Sequence, residues 1–252
     1  FDVEISHDLG VTWTTTSNPY LSGKTRSIGN IALSRDGTTL VGISNRSYSS
    51  NPDSALFTST DSGASWSVKL QDPAYTLDYS WAISGDASVM ACYLANGLRV
   101  TTDSGASWTQ LDNYGRTSWS AFGMSRDGLR QVAASSAQMG DESRFSIGWL
   151  HLSSDSGATW SRADSAGKRI WLAADVSDDG ETVAAVYWEA SKFNIVVSDD
   201  SAVTWRPPVV HPGYFSALGL ELSADGSVML LTYQSGTYTY LSTDGGTTWN
   251  TI

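Results

Sequence analysis

Cysteine occurs once in this 252-residue sequence, as Cys92. A single cysteine excludes an internal disulfide framework. Its place in the run Val89-Met90-Ala91-Cys92-Tyr93 marks it as a small buried residue. Lysine is scarce: Lys24, Lys69, Lys168 and Lys192 are the full set. With a formal charge of −11 the surface repels phosphate backbones, which argues against nucleic-acid partners and against docking on anionic lipid. No apolar stretch approaches the ~20 residues of a membrane span, so no membrane insertion is expected. No helical periodicity is found anywhere. There is no leader-like segment and no initiator Met. The chain starts at Phe1 in mid-pattern, which predicts a processed or excised piece of a longer protein, with other domains of that chain among its partners.

Hydrophobic residues make up 40% of the chain, enough for a sizeable core, while charged residues make up only 16%. Ser, Thr and Gly fill the difference, and they do so periodically. One motif recurs six times: Ser6-His7-Asp8-Leu9-Gly10-Val11-Thr12-Trp13, Ser59 to Trp66, Thr101 to Trp108, Ser153 to Trp160, Ser198 to Trp205 and Ser242 to Trp249. Its aspartates are Asp8, Asp61, Asp103, Asp155, Asp200 and Asp244. Ser/Thr and Asp side chains accept backbone N–H groups of their own turn, Gly supplies a positive φ, and Trp opens the next strand and buries a large ring. Ala202 replaces the Gly in the fifth copy.

A second motif alternates with the first: Ser34-Arg35-Asp36-Gly37, Ser84-Gly85-Asp86-Ala87, Ser125-Arg126-Asp127-Gly128, Ser177-Asp178-Asp179-Gly180 and Ser223-Ala224-Asp225-Gly226. Asp-Gly between two β-rich runs signals a hairpin. Each repeat therefore holds four strands, A to D, with turns A–B and C–D. Four strands per ~45 residues is a propeller blade. The spacing predicts an all-β single domain over 1–252: a β-propeller with blades at about 26–70, 75–112, 117–164, 169–209 and 214–252. Residues 1–17 supply only the C–D hairpin of a sixth blade.

The six Ser/Thr-x-Asp-x-Gly-x-Thr/Ser-Trp copies resemble the Asp-box (BNR) repeat families over essentially the whole chain. Such repeats occur in sialidases, xyloglucan-cleaving glycosidases, sortilin-type receptors, a photosystem II assembly factor and many secreted proteins without known activity. The resemblance implies a propeller in a secreted or cell-surface protein. It also implies that the Asp boxes lie opposite any active site, so the defining motif is silent on function.

The chemistry must come from other residues. Eleven of the 21 aspartates already serve turns. A sialidase needs an Arg cluster, a Tyr–Glu pair and an acid/base carboxylate. The Arg-Ile-Pro stretch usual in that family is absent. The loop acids Asp53, Asp72, Asp78, Asp112, Asp141, Glu142, Asp164 and Glu189 show no spacing that selects a facing pair. Two residues before each A–B turn Ser stand Ala32, Ala82, Gly123, Asp175 and Glu221. Asp175 and Glu221 should thus approach each other near the central channel, as an acid pair, a cation site or a packing contact between blades. His7, His151 and His211 lack zinc spacing, so neither metal nor cofactor is expected. Trp119 and Trp171 stand six residues before their turn Ser. With Tyr75, Tyr79, Tyr114, Tyr214, Arg116, Arg144 and Arg169 they could stack on sugars and bond hydroxyls. Asn45-Arg46-Ser47 is a glycosylation sequon. These residues point to a non-catalytic module that binds glycan or extracellular protein through its loops. The alternative is a glycoside hydrolase of sialidase-like architecture.

Overall fold

Each A–B turn reverses the chain with one set of local bonds. In the first, Ser34 Oγ donates to Asp36 Oδ1 at 2.6 Å and accepts the Thr39 N–H at 2.9 Å. The serines at 84, 125, 177 and 223 repeat both bonds. The turn glycine, or Ala87 in the second copy, is left-handed. Four of the five serines are buried, and these bonds replace the water they lose.

The structure, a computed structural model, describes residues 3–16, 27–45, 54–72, 81–94, 97–111, 117–137, 147–211, 218–233 and 239–252. A hairpin comes first, β1 (Val3–Ile5) with β2 (Thr14–Thr16). The first full sheet holds β3 (Ser27–Leu33), β4 (Leu40–Asn45), β5 (Ser54–Ser59) and β6 (Ser67–Asp72). The second holds β7 (Trp81–Ile83), β8 (Met90–Leu94), β9 (Gly97–Thr101) and β10 (Thr109–Leu111). The third holds β11 (Thr117–Met124), β12 (Gln131–Ala137), β13 (Leu150–Ser153) and β14 (Ser161–Arg162). The fourth holds β15 (Ile170–Val176), β16 (Val183–Glu189), β17 (Lys192–Ser198) and β18 (Val209–His211). The fifth holds β19 (Leu218–Leu222), β20 (Met229–Tyr233), β21 (Thr239–Ser242) and β22 (Asn250–Thr251). Within every sheet the strands pair in chain order and antiparallel. The chain is a β-propeller of five four-stranded blades plus one two-stranded hairpin among the described residues, as the repeat predicts.

Two local expectations fail. A short 3-10 turn, Asp164–Ala166, follows the third sheet, although no helix was expected. In the fourth sheet the segment after Trp205 is interrupted: the Arg206 N–H donates to Val197 O at 2.8 Å, Pro207 and Pro208 cannot donate to the ladder, and β18 begins only at Val209.

Apolar clusters lie between consecutive sheets. Val132, Ala134 and Leu150 of the third meet Ala174, Val176 and Val183 of the fourth. Ala184, Val186 and Phe193 of the fourth meet Leu220, Met229 and Leu231 of the fifth. The hairpin joins the same series, since Val3 and Ile5 cluster with Leu40 and Trp66 of the first sheet. A Cβ on Gly63 would lie 2.2 Å from Ile5. A Cβ on Gly157 would lie 3.0 Å from Val100, and one on Gly246 would lie 2.9 Å from Val197. Ile5, Val100 and Val197 each directly precede the Ser or Thr that starts a C–D turn. Residues 3–16 therefore occupy the place of strands C and D in a blade preceding the first sheet.

Candidate functional site

All eleven turns lie on one face of the propeller, because strands A and C both run toward it. The six C–D turns are built alike. In the third, Thr101 Oγ1 donates to Asp103 Oδ1 at 2.7 Å and accepts the Gly105 N–H at 3.0 Å. Asp103 Oδ1 accepts the Ser107 N–H at 2.9 Å and Oδ2 accepts the Ser107 hydroxyl at 2.6 Å. These donors hold Asp8, Asp61, Asp103, Asp200 and Asp244 down at about 2, and Asp155 below its ordinary value. Sequence reading assigned positive φ to the Gly alone. The residue before it is left-handed as well, at Leu9, Ser62, Ser104, Ser156 and Ser201. Ala202 keeps the geometry with φ 67°. The tryptophans were expected to be mostly buried. Five are half-buried, and Trp13 is 61% exposed.

The A–B turns meet at the axis. Their second residues are linked in chain order: Arg35 N–H to Gly85 O at 2.8 Å, Gly85 N–H to Arg126 O at 2.7 Å, and Arg126 N–H to Asp178 O at 3.1 Å. The Arg35 guanidinium then crosses to the Asp178 carboxylate. Around these residues lies an open recess of about 670 Å³, lined by Arg35, Asp36, Gly85, Asp86, Arg126, Asp127, Asp178 and Asp179. Asp36 sits at about 2, held by the Ser34 hydroxyl and the Thr38 amide; Asp86 and Asp179 are lowered by bonds of the same kind. The exposed Arg126 guanidinium has no ion-pair partner among the described residues. The recess therefore presents fixed anionic charge around guanidinium donors.

Asp175 and Glu221 do lie on neighbouring inner strands, β15 and β19. Asp175 Oδ2 accepts the Leu222 N–H at 2.8 Å. Desolvation, with the Glu221 charge second, pushes the Asp175 carboxyl up to about 8. Glu221 is exposed, and partial desolvation raises its carboxyl. On the other side, a Cβ on Gly123 would sit 2.4 Å from Asp175 Cα, so only glycine fits there. Asp175 thus joins the fourth blade to the fifth through a main-chain N–H.

The expected aromatic platform is corrected. Trp119 and Trp171 are each 3% exposed. Trp119 stands edge-on to His151, with ring centroids 5.0 Å apart, and Trp171 edge-on to Tyr187, 5.3 Å apart. Arg169 is already engaged: it bonds Ala166 O at 3.1 Å and Glu189 Oε2 at 3.2 Å, and covers the Tyr187 ring at 4.2 Å. Tyr75, Tyr79, Tyr114, Tyr214, Arg116 and Arg144 lie outside the described residues, as does the Asn45 side chain. Desolvation, with the Arg162 charge second, lowers the buried His151 imidazole to about 4, and His7 is exposed in its turn. Burial pushes the Cys92 thiol to about 12, consistent with an inert core residue. The signal missed in the sequence was the second residue of each A–B turn, which alternates Arg, Gly, Arg, Asp and Ala.

By sequence, the chain matches no protein-family model and no curated protein. By structure it is similar to the GH74 xyloglucanase from Xanthomonas campestris, with TM-score 0.69 and 15% identity over 97% of this chain and 41% of that one. It is similar to a chain of a nidogen/laminin complex, with TM-score 0.63 and 7% identity over 90% and 80%. It is also similar to YCF48 from Cyanidioschyzon merolae, with TM-score 0.61 and 15% identity over 99% and 77%. The chain spans about two-fifths of the xyloglucanase. At these identities the likeness is one of fold.

Proposed function

We propose that this chain is a non-catalytic Asp-box propeller, secreted or displayed at the cell surface, that binds a polypeptide or glycan partner. One observation carries the reading: the axial recess, where Arg126, without an ion-pair partner among the described residues, and the Arg35–Asp178 pair stand among Asp36, Asp86 and Asp179, whose turn bonds favour the ionised form. Such a surface suits a partner carrying both charge signs, since Arg126 offers a planar fork to a carboxylate and the rim attracts ammonium groups. A propeller of similar shape occurs in the nidogen/laminin complex, which supports a protein-binding use of the scaffold. A second candidate set, read from the sequence alone, is Tyr75, Tyr79, Tyr114, Tyr214, Arg116 and Arg144, with the glycosylation sequon at Asn45.

The test is to probe the labelled chain against arrays of glycans and of extracellular proteins, with Arg126→Glu alongside. Binding lost in Arg126→Glu at unchanged Tm supports the recess. Binding lost only in Tyr114→Ala or Arg116→Ala moves the site to that second set. Turnover of an aryl glycoside that disappears in Asp175→Asn would overturn the non-catalytic reading.

A further inference from the structure

The boundaries between full sheets share a fixed set of positions, and one such set is exposed. The residue directly before the A–B turn Ser faces the preceding blade. Met124 and Val176 there are 9% and 4% exposed, but Leu33 is 55% exposed. Ile31, two residues earlier on the same face of β3, is 37% exposed, against 4% for Ala174 and 5% for Leu220. The preceding hairpin packs on Leu40 and Trp66 of this sheet through Val3 and Ile5, and leaves Leu33 and Ile31 of β3 exposed. Among the described residues its strand β1 pairs with β2 alone, whereas the third strand of every full sheet pairs on both sides.

The fifth sheet shows the complementary pattern. Residues facing the next blade are buried in the fourth sheet, where Ala184 and Val186 are both 0% exposed. Their counterparts Leu230 and Thr232 are only half-buried. Glu221 stands where Asp175 stands one sheet earlier. Asp175 accepts the N–H of the residue before the next turn Ser, Leu222. Glu221 is exposed, and its carboxylate has no hydrogen-bond partner among the described residues.

From these three features we infer that the propeller carries a strand-receiving slot for an antiparallel two-stranded β-hairpin of the A–B type, Ser-x-Asp-Gly turn included. Its outer strand pairs with the open edge of β1. Its apolar faces cover Leu33 and Ile31 on one side and Leu230 on the other. The N–H before its turn Ser donates to Glu221, repeating the bond from Leu222 to Asp175. Main-chain pairing supplies affinity and the carboxylate sets the register. The occupant is a two-stranded hairpin segment of that motif, and its turn stands beside the A–B turns of the first and fifth sheets at the axis.

The test uses the 252-residue chain and a fluorescent peptide copying residues 27–45, followed by polarisation. Saturable binding is expected, weakened about tenfold or more by Glu221→Ala and by Leu33→Lys in the chain. Both positions are exposed, so Tm of each variant should stay near that of the parent. No saturable binding, or equal binding by both variants, overturns the inference. So does a dimer in sedimentation that Leu33→Lys dissociates, because the slot would then be filled by a second copy.

Discussion

The guanidinium of Arg35 in the first sheet pairs with the carboxylate of Asp178 in the fourth, across the axis of the propeller. The two residues are 143 positions apart, yet their turns are neighbours through Gly85 and Arg126. Their side chains are 54% and 36% exposed, so solvent screens the pair. A double-mutant cycle with Arg35→Ala and Asp178→Ala should give a coupling of about 0.2–1 kcal/mol at low salt, fading as salt rises. A coupling several times larger and indifferent to salt would mean that the pair is the main closure of the ring.

Asp175 and the turn aspartates should give stability opposite dependences on pH. The folded Asp175 carboxyl titrates near 8, above its unfolded value, so folding takes up a proton between about pH 4 and 8. Its contribution is present below that window and is lost as pH rises through it. A tenfold difference in proton affinity is worth about 1.4 kcal/mol, so the loss is at least of that order. Asp175→Asn keeps an oxygen for the Leu222 N–H and should flatten this slope. Asp8, Asp61, Asp103, Asp200 and Asp244 act the other way: depressed to about 2, they add stability that disappears as pH falls from about 4 toward 2. Tm measured from pH 2 to 9 on the parent and on Asp175→Asn separates the two effects.

Turn residues made the blades legible in the sequence, because each turn bonds within itself and needs no tertiary partner. Sequence spacing also located the Asp175–Glu221 neighbourhood, which depends only on counting from a turn. Counting failed for Trp119 and Trp171. The ladders shift register between Trp119 and Ala121 and between Trp171 and Ala173. One extra residue flips side-chain direction. Trp171 thus faces the third sheet with Ala174 and Val176, and not the fifth with Ala173. No local residue pattern announces that bulge. The axial recess was equally hidden, since it is assembled by four turns that meet only when the sheets are arranged around the axis.

The C–D turn glycines should differ in what they tolerate. A Cβ at Gly157 meets Gln131 Oε1 at 2.9 Å and Val100 at 3.0 Å, and its φ is +81°. Gly157→Ala should therefore cost about 1–3 kcal/mol through overpacking and left-handed strain. Ala202 already bears the strain, and its methyl is buried beside Val183, shorter than the Gln131 of the third sheet. Ala202→Gly relieves about 1–2 kcal/mol of strain. It loses about 0.8 kcal/mol of burial and about 0.5–1 kcal/mol to backbone entropy. The net should lie within about 1 kcal/mol of zero. Urea unfolding of both variants checks the contrast.

Identical motif positions should also differ in worth when their surroundings differ, and Trp13 and Trp108 test this. Trp108 is half-buried and donates its Nε1–H to Lys69 O at 3.2 Å on the preceding sheet. Trp66 makes the equivalent contact, to Thr16 Oγ1 at 3.4 Å on the hairpin. Lys69 and Thr16 each lie three residues beyond the Trp of their own turn. The counterpart for Trp13 is Ile252, which is 68% exposed, and Trp13 donates instead to Gly10 O of its own turn at 3.1 Å. Trp108→Ala removes a ring wedged between two sheets and should destabilise by about 2–4 kcal/mol. Trp13→Ala removes a mostly solvated ring and should stay within about 1 kcal/mol. Chemical denaturation gives both numbers. Equal losses would mean that the Trp13 ring is covered in solution, with β22 and Ile252 the surface to examine first.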